Sequence, residues 1–158
     1  MIRITKLSDY AIVLLTYFAR NAEQVHAARD LAARAHLPLS TVCKVLKSLS
    51  RGELLVSHRG VNGGYRLARR PEEISIAEII AAIEGPIALT ECSTSVPGLC
   101  ELEPVCPVRS NWRRINKAVR EALEALTLAD MTQPLTQRSP TASPAQPVPL
   151  TLLMRRTS

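Results

Sequence analysis

Between Pro38 and Ala68 the chain sets a two-faced helix directly before a glycine-tipped hairpin. Val42, Val45, Leu46 and Leu49 recur at three- and four-residue spacing, which puts them on one helical stripe. Ser40, Lys44, Lys47, Ser48 and Arg51 fall on the opposite side, with Thr41 at its edge. That face carries no carboxylate. Pro38 opens the helix, and Gly52 is expected to close it in left-handed backbone. Two short extended runs follow, Leu54–Arg59 and Tyr65–Ala68, joined by Gly60-Val61-Asn62-Gly63-Gly64. Glycines at these positions suit a tight hairpin with positive φ.

The segments ahead of this unit extend the pattern. Leu7, Tyr10, Ala11, Leu14, Tyr17 and Phe18 mark an amphipathic helix, with Thr5 or Ser8 at its start and Asn21 at its end. Ala27 to Ala35 reads as a short second helix with Leu31 and Ala32 inward. Helix, short helix, basic-faced helix and hairpin is the order of a winged helix-turn-helix, so a mainly α fold with a small β-hairpin wing is expected. A helix fits the major groove of duplex DNA and presents Ser, Thr and Lys to base edges and phosphates. Arg59 at the hairpin tip suits a minor groove, whose negative potential attracts guanidinium. The plain alternative is a solvated lysine face. The wing in its expected place and the absence of carboxylates argue against it.

Beyond the hairpin, Ser75 and Glu78 form a capping box ahead of Ile76, Ile79, Ile80 and Ile83, and Gly85-Pro86 ends that helix. A loop from about Thr90 to Pro107 leads to a long helix over Val108 to Thr127. Its stripe of Trp112, Ile115, Val119, Ala122, Leu123 and Leu126 is close to a heptad seam, as a dimerisation helix requires. From Gln133 onward, five prolines and little apolar periodicity predict a disordered tail. The expected layout is a DNA-binding unit over 1–70, a connecting helix and cysteine loop over 71–107, a dimerisation helix over 108–132 and the tail over 133–158.

Charge is segregated along this layout. Residues 1–70 hold twelve Lys/Arg against four Asp/Glu, whereas 71–107 hold seven Glu and no Lys or Arg. The basic charge is therefore not a uniform solubilising coat, and it favours a polyanionic partner. One Trp, one Phe and three Tyr are too few for a single-strand stacking platform. With no long apolar run and no leader pattern, no membrane partner is expected, and the chain reads as cytoplasmic. Thiols there stay reduced.

Cys92, Cys100 and Cys106 stand as C-x7-C-x5-C in the acidic loop. Iron–sulfur clusters and zinc both take deprotonated sulfur from several positions. Zinc sites usually include a closer C-x2-C or C-x4-C pair, which is missing, while long arcs bearing Pro97-Gly98 and Pro104 can wrap a larger object. Three unrelated loop thiols are the remaining reading. Three cysteines are one short of the usual four ligands, and no His lies between Cys92 and Trp112. His26, His36 and His58 are expected at the surface, and Cys43 in packing. No nucleophile–base pair, phosphate-binding loop or paired carboxylates suggest an enzyme.

The run Ile4-Thr5-Lys6-Leu7-Ser8-Asp9-Tyr10-Ala11, the wing from Arg59 to Ala68 and the cysteine loop together resemble the IscR/NsrR family of winged-helix regulators over about residues 1–132. The stretches Glu84 to Ser93 and Cys100 to Cys106 look most like its branch of SUF-system iron–sulfur cluster assembly regulators. The resemblance implies a homodimer joined by the long C-terminal helix and a [2Fe–2S] or [4Fe–4S] cluster on the three cysteines. It also implies control of cluster-biogenesis genes, with Ser40, Thr41 and Lys44 in the major groove and Arg59 in the minor groove. One branch of the family has a His three residues after the last Cys, where Arg109 stands here. In the nitric-oxide-sensing branch an Asp of the first helix, supplied by the other subunit, completes the site, and Asp9 matches it.

The resulting expectation is a dimeric, cluster-containing repressor of SUF-type assembly genes that binds a double-stranded operator. A nitric-oxide or redox sensor of the same family is the alternative. From other classes come a cluster carrier or scaffold, which has no need of the basic face from Ser40 to Arg51, and a zinc-stabilised interaction module.

Overall fold

The computed structural model describes residues 4–60, 63–94 and 98–133. Its order is α1 (Lys6–Ala19), α2 (Ala28–Ala35), α3 (Leu39–Arg51), β1 (Leu55–His58), β2 (Gly64–Leu67), α4 (Ile76–Glu84), α5 (Arg109–Glu124) and α6 (Leu128–Thr132). Short 3-10 turns occupy Pro71–Glu73 and Glu91–Ser93. The strands pair antiparallel, with Leu55 opposite Leu67 and His58 opposite Gly64. This is the winged-helix arrangement: three helices, then a two-stranded wing.

The apolar stripes of α1, α3 and α4 meet in one core of Leu14, Leu15, Phe18, Val42, Leu46, Leu49, Ile74 and Ile79, all fully buried. Each such side chain contributes about 1.5–3 kcal/mol relative to exposure. Thr5 caps α1 by accepting the Ser8 N–H. The Ser75–Glu78 box caps α4 as the sequence predicts. Burial pushes the Glu78 carboxyl up, but the Ser75 N–H, Arg69 and the Ser75 hydroxyl outweigh it and leave it below its ordinary value. Gly85 then ends α4 at φ 90°.

Two local expectations are corrected. Gly52 is not the left-handed residue: its φ is −81°, and Glu53 takes φ 59° instead. Bonds from Leu54 N–H to the Leu49 carbonyl (3.0 Å) and from Glu53 N–H to the Ser50 carbonyl (3.2 Å) complete a Schellman motif one residue later. Gly52 is needed for packing, since a Cβ there would lie 2.7 Å from the Ala82 Cβ of α4. The second correction concerns the long helix, which stops at Glu124 rather than Thr127. Thr127 and Asp130 form a capping box that starts α6. Main-chain bonds from Ile76 N–H to Leu126 (2.9 Å) and from Leu128 N–H to Ile74 (2.8 Å) fold the chain back beside α4. Leu128 thereby enters the core completely. The expected tail, apart from Gln133, lies outside the described residues.

Candidate functional site

With its apolar stripe turned inward, α3 presents the opposite face to solvent. Ser40, Lys44, Lys47 and Arg51 are exposed and Thr41 is half-buried. Arg59 is exposed directly after β1. Among the described residues none of Lys44, Lys47, Arg51 and Arg59 makes an ion pair, whereas Arg69, Arg70, Arg109, Arg113, Lys117 and Arg120 all do. Uncompensated cations on one helix and the neighbouring wing make an electrostatic footprint for a polyanion.

The wing is anchored at its base. His26 N–H donates to the Tyr65 carbonyl (2.8 Å), and Tyr65 N–H returns a bond to the His26 carbonyl (3.0 Å). At the tip, Gly60 has φ 121°, and Gly63 N–H closes the turn on the Gly60 carbonyl. Val61 and Asn62 lie outside the described residues. His26 is buried, contrary to the surface position expected for it, with its ring edge-on to Phe18 at 5.0 Å. Burial pushes its imidazole below the usual 6.5, Arg34 acts in the same direction and Asp30 opposes it. The ring packs against Phe18 of the core. His36 and His58 are exposed as expected.

The second candidate site is the loop between α4 and α5. Cys92 is buried in the Glu91–Ser93 turn, with the Thr90 hydroxyl 3.3 Å from its sulfur. Cys100 and Cys106 are half-buried, and all four cysteines are free thiols. The loop is fastened to α5. Buried Asn116 accepts the Leu89 N–H (2.9 Å) and donates to the Ile87 carbonyl (3.2 Å), while Arg113 donates to the Cys92 carbonyl (3.5 Å). Sequence patterning missed Asn116, because it sits among the predicted seam residues with no motif around it.

Three free thiols suit iron–sulfur or other soft-metal chemistry as donors. Their arrangement does not. Among the described residues no three His, Cys, Asp or Glu side chains stand close enough to hold a metal ion. Asp9 is exposed in the first turn of α1 and is not gathered with the thiols. Arg109, where one family branch has His, pairs instead with Glu103 of the loop.

The start of α1 is held at the end of α4, where the loop begins. One Glu84 carboxylate oxygen accepts the Thr5 N–H (3.1 Å), the Thr5 hydroxyl (3.0 Å) and the Ser8 hydroxyl. The Ser8 bond holds this carboxyl below its ordinary value of 4.5, and the Thr5 bonds add to it against the opposing effect of desolvation. Along α5, Trp112 and Ile115 remain exposed, as does Leu126 just beyond it, while Val119 and Leu123 are half-buried.

A recognition-type helix with bare cations, backed by α1 and α2 and followed by a hydrogen-bonded wing, defines a winged-helix DNA-binding protein. No helix among the described residues is long and apolar enough to cross a membrane. The chain matches the Rrf2 family, iron-dependent transcriptional regulators, over residues 4–134, and it belongs to that family. The transcriptional regulator NsrR of Geobacillus kaustophilus is 33% identical over 132 residues, covering 83% of this chain and 90% of that protein. Among solved structures, CymR of B. subtilis, the global cysteine regulator, superposes with a TM-score of 0.64 at 28% identity, covering 84% of this chain and 97% of that one. IscR of T. potens superposes with a TM-score of 0.61 at 26% identity, covering 82% and 85%. These relatives are transcriptional regulators, not enzymes, and this chain is a DNA-binding transcriptional regulator of the same family.

Proposed function

We propose that this regulator is a homodimeric repressor of SUF-type iron–sulfur cluster assembly genes, with a [2Fe–2S] or [4Fe–4S] cluster on Cys92, Cys100 and Cys106. The observation that carries the reading is three free thiols in a loop that is hydrogen-bonded to α5 and that begins next to Glu84, which holds the start of α1. Ser40, Thr41 and Lys44 would meet the major groove, Lys47 and Arg51 the phosphates, and Arg59 the minor groove. Asp9 of the partner subunit would supply the fourth ligand. The exposed Trp112, Ile115 and Leu126 would pair with their copies in a two-fold seam. The layout 1–70, 71–107, 108–132 and 133–158 and a cytoplasmic setting belong to the same proposal.

When bound, a cluster supplies a reason for the thiols to converge. The chain's own residues carry the consequence. Cys92 is tied to α5 by Arg113, Ile87 and Leu89 are tied to α5 by Asn116, and Glu84 holds the start of α1, which packs on α3. A loop rearrangement therefore has a bonded route to the DNA-binding face. It shifts affinity only as far as the two loop states differ in free energy of DNA binding.

A second reading, sensing of nitric oxide or redox state, is favoured by Arg109. It stands where one branch of the family has His, and its guanidinium is engaged by Glu103, so that position offers no fourth ligand. Anaerobic reconstitution with iron and sulfide analysis, followed by operator binding with and without cluster, tests the proposal. The expected result is visible absorption lost in Cys106→Ala and an affinity difference of about tenfold between forms. A chain that takes up no iron, or binds DNA equally in both forms, sinks it.

A further inference from the structure

We infer that Glu103 is a latch that holds the thiol loop in a metal-free conformation, in opposition to the gathering of the three cysteines. The inference rests on the reading that these cysteines are ligands. It starts from a mismatch: the donors suit a metal, yet no three of them converge among the described residues.

Glu103 explains what keeps them apart. It lies between Cys100 and Cys106, and its side chain is only 15% exposed although the loop around it is open. One carboxylate oxygen takes Arg109 and also lies 3.5 Å from the Arg113 guanidinium. The other accepts the Gly98 N–H at 3.4 Å. A single side chain thus ties the middle of the loop to two successive turns of α5.

The main chain at each cysteine is bonded to a residue of this hub. Arg113, held by Glu103, reaches the Cys92 carbonyl. Cys100 sits between Gly98 and Glu103, and its carbonyl accepts the Glu103 N–H at 3.1 Å. The Cys106 carbonyl accepts the Arg109 N–H at 3.4 Å. The rest of the loop adds little apolar anchoring, since Leu99, Leu102 and Val105 are 51%, 66% and 76% exposed. Polar ties, not a core, hold this conformation.

A partly buried carboxylate shared by two guanidinium groups is costly to leave, because whichever partner remains loses its counter-charge out of full solvent. Moving the thiols together must break or re-form these bonds. By linkage, whatever stabilises the latched loop weakens metal binding by the same factor. The latch sets the iron level at which the loop switches.

The test uses full-length, reduced, metal-free protein. Reaction of each cysteine with a thiol reagent is followed by mass spectrometry in wild type, Glu103→Gln and Arg109→Gln, with Cys43 on α3 as internal control. Cobalt(II) is then titrated, and its thiolate charge-transfer band is read. Losing a charged hydrogen bond in Glu103→Gln should speed Cys92, Cys100 and Cys106 by about tenfold and leave Cys43 unchanged. Cobalt binding should tighten by a similar factor, with Arg109→Gln moving the same way. Unchanged loop thiols overturn the latch, and so does equal acceleration of Cys43, which would report general loosening. Faster thiols with weaker cobalt binding overturn its sign, because Glu103 would then prepare the loop for metal. Faster thiols with no cobalt band in any of the proteins overturn the claimed opposition to metal, and the cluster reading is then decided by its own iron and sulfide analysis.

Discussion

Replacing Gly64 with alanine probes how the wing is held to the helices. A Cβ at Gly64 would lie 2.4 Å from the His26 carbonyl oxygen, 2.8 Å from its carbon and 2.9 Å from the Val25 Cγ1. Two of the three obstacles are backbone, so no rotamer change relieves them. Restoring ordinary contact moves the strand away by about 1 Å, which stretches the adjoining His26–Tyr65 bonds of 2.8 and 3.0 Å beyond hydrogen-bonding range. Each lost bond costs about 0.5–1.5 kcal/mol. With residual strain the total is roughly 2–3 kcal/mol, or a Tm lower by roughly 6–12 °C. Gly60→Ala is the control. It has φ 121° but open space around it, so it carries backbone strain of about 1 kcal/mol and no clash. Thermal unfolding and amide exchange at Tyr65 decide the matter. Gly64→Ala melting within a degree of wild type, or Gly60→Ala proving the worse, would refute the close-approach argument.

Other substitutions address separate links. Leu128→Ala should cost about 2–5 kcal/mol in denaturant unfolding, because Leu128 is fully buried beside α1 and Ile74, although the sequence places it past the last long helix. Glu84→Gln should lower stability at neutral pH. The depressed Glu84 carboxyl stabilises the fold fully above its ordinary 4.5 and loses that contribution as pH falls through its lower folded value, so the two proteins should converge in acid; a pH-independent difference would contradict the clamp. Lys44→Ala and Arg59→Ala should weaken operator binding, reducing the salt slope by about one for a phosphate contact or costing about 1–3 kcal/mol at one base pair for a base contact. Wild-type binding by both variants removes the groove assignment. Val119→Glu with Leu123→Glu should give monomers in sedimentation if the α5 stripe is the dimer seam.

Much of the fold was legible in the residue pattern because it depends on local periodicity. The stripe Val42, Val45, Leu46 and Leu49 is buried as predicted, the Ser75–Glu78 box caps α4, and the glycine-tipped hairpin forms between Leu55 and Leu67. The bare face of α3 follows from the same stripe, since burying one side of a helix exposes the other. Features governed by neighbours distant in sequence were not legible. Gly52 was assigned the left-handed position from its type, but Ala82 of α4 claims its small size and Glu53 makes the turn. His26 reads as a surface residue of the DNA-binding half, yet its backbone is bridged to Tyr65 and its ring lies against Phe18.

The cysteine loop shows the same division. Composition alone identified three thiols in an acidic segment, because donor chemistry belongs to residue type. Where those thiols stand belongs to ion pairs and hydrogen bonds from α5. Arg113 and Asn116 meet Cys92 and Leu89 only once the chain has folded back on itself, and Arg109 pairs with Glu103 across the turn that leads into α5. Chain reversal also decided where α5 ends. Apolar spacing carried the last helix through Thr127, but pairing of Leu126 and Leu128 with the Ile74–Ile76 strip breaks it and buries Leu128. Sequence alone determined which faces could be buried and which groups could bind. Tertiary contacts, which sum terms from residues far apart in the chain, decided which of those options the molecule takes.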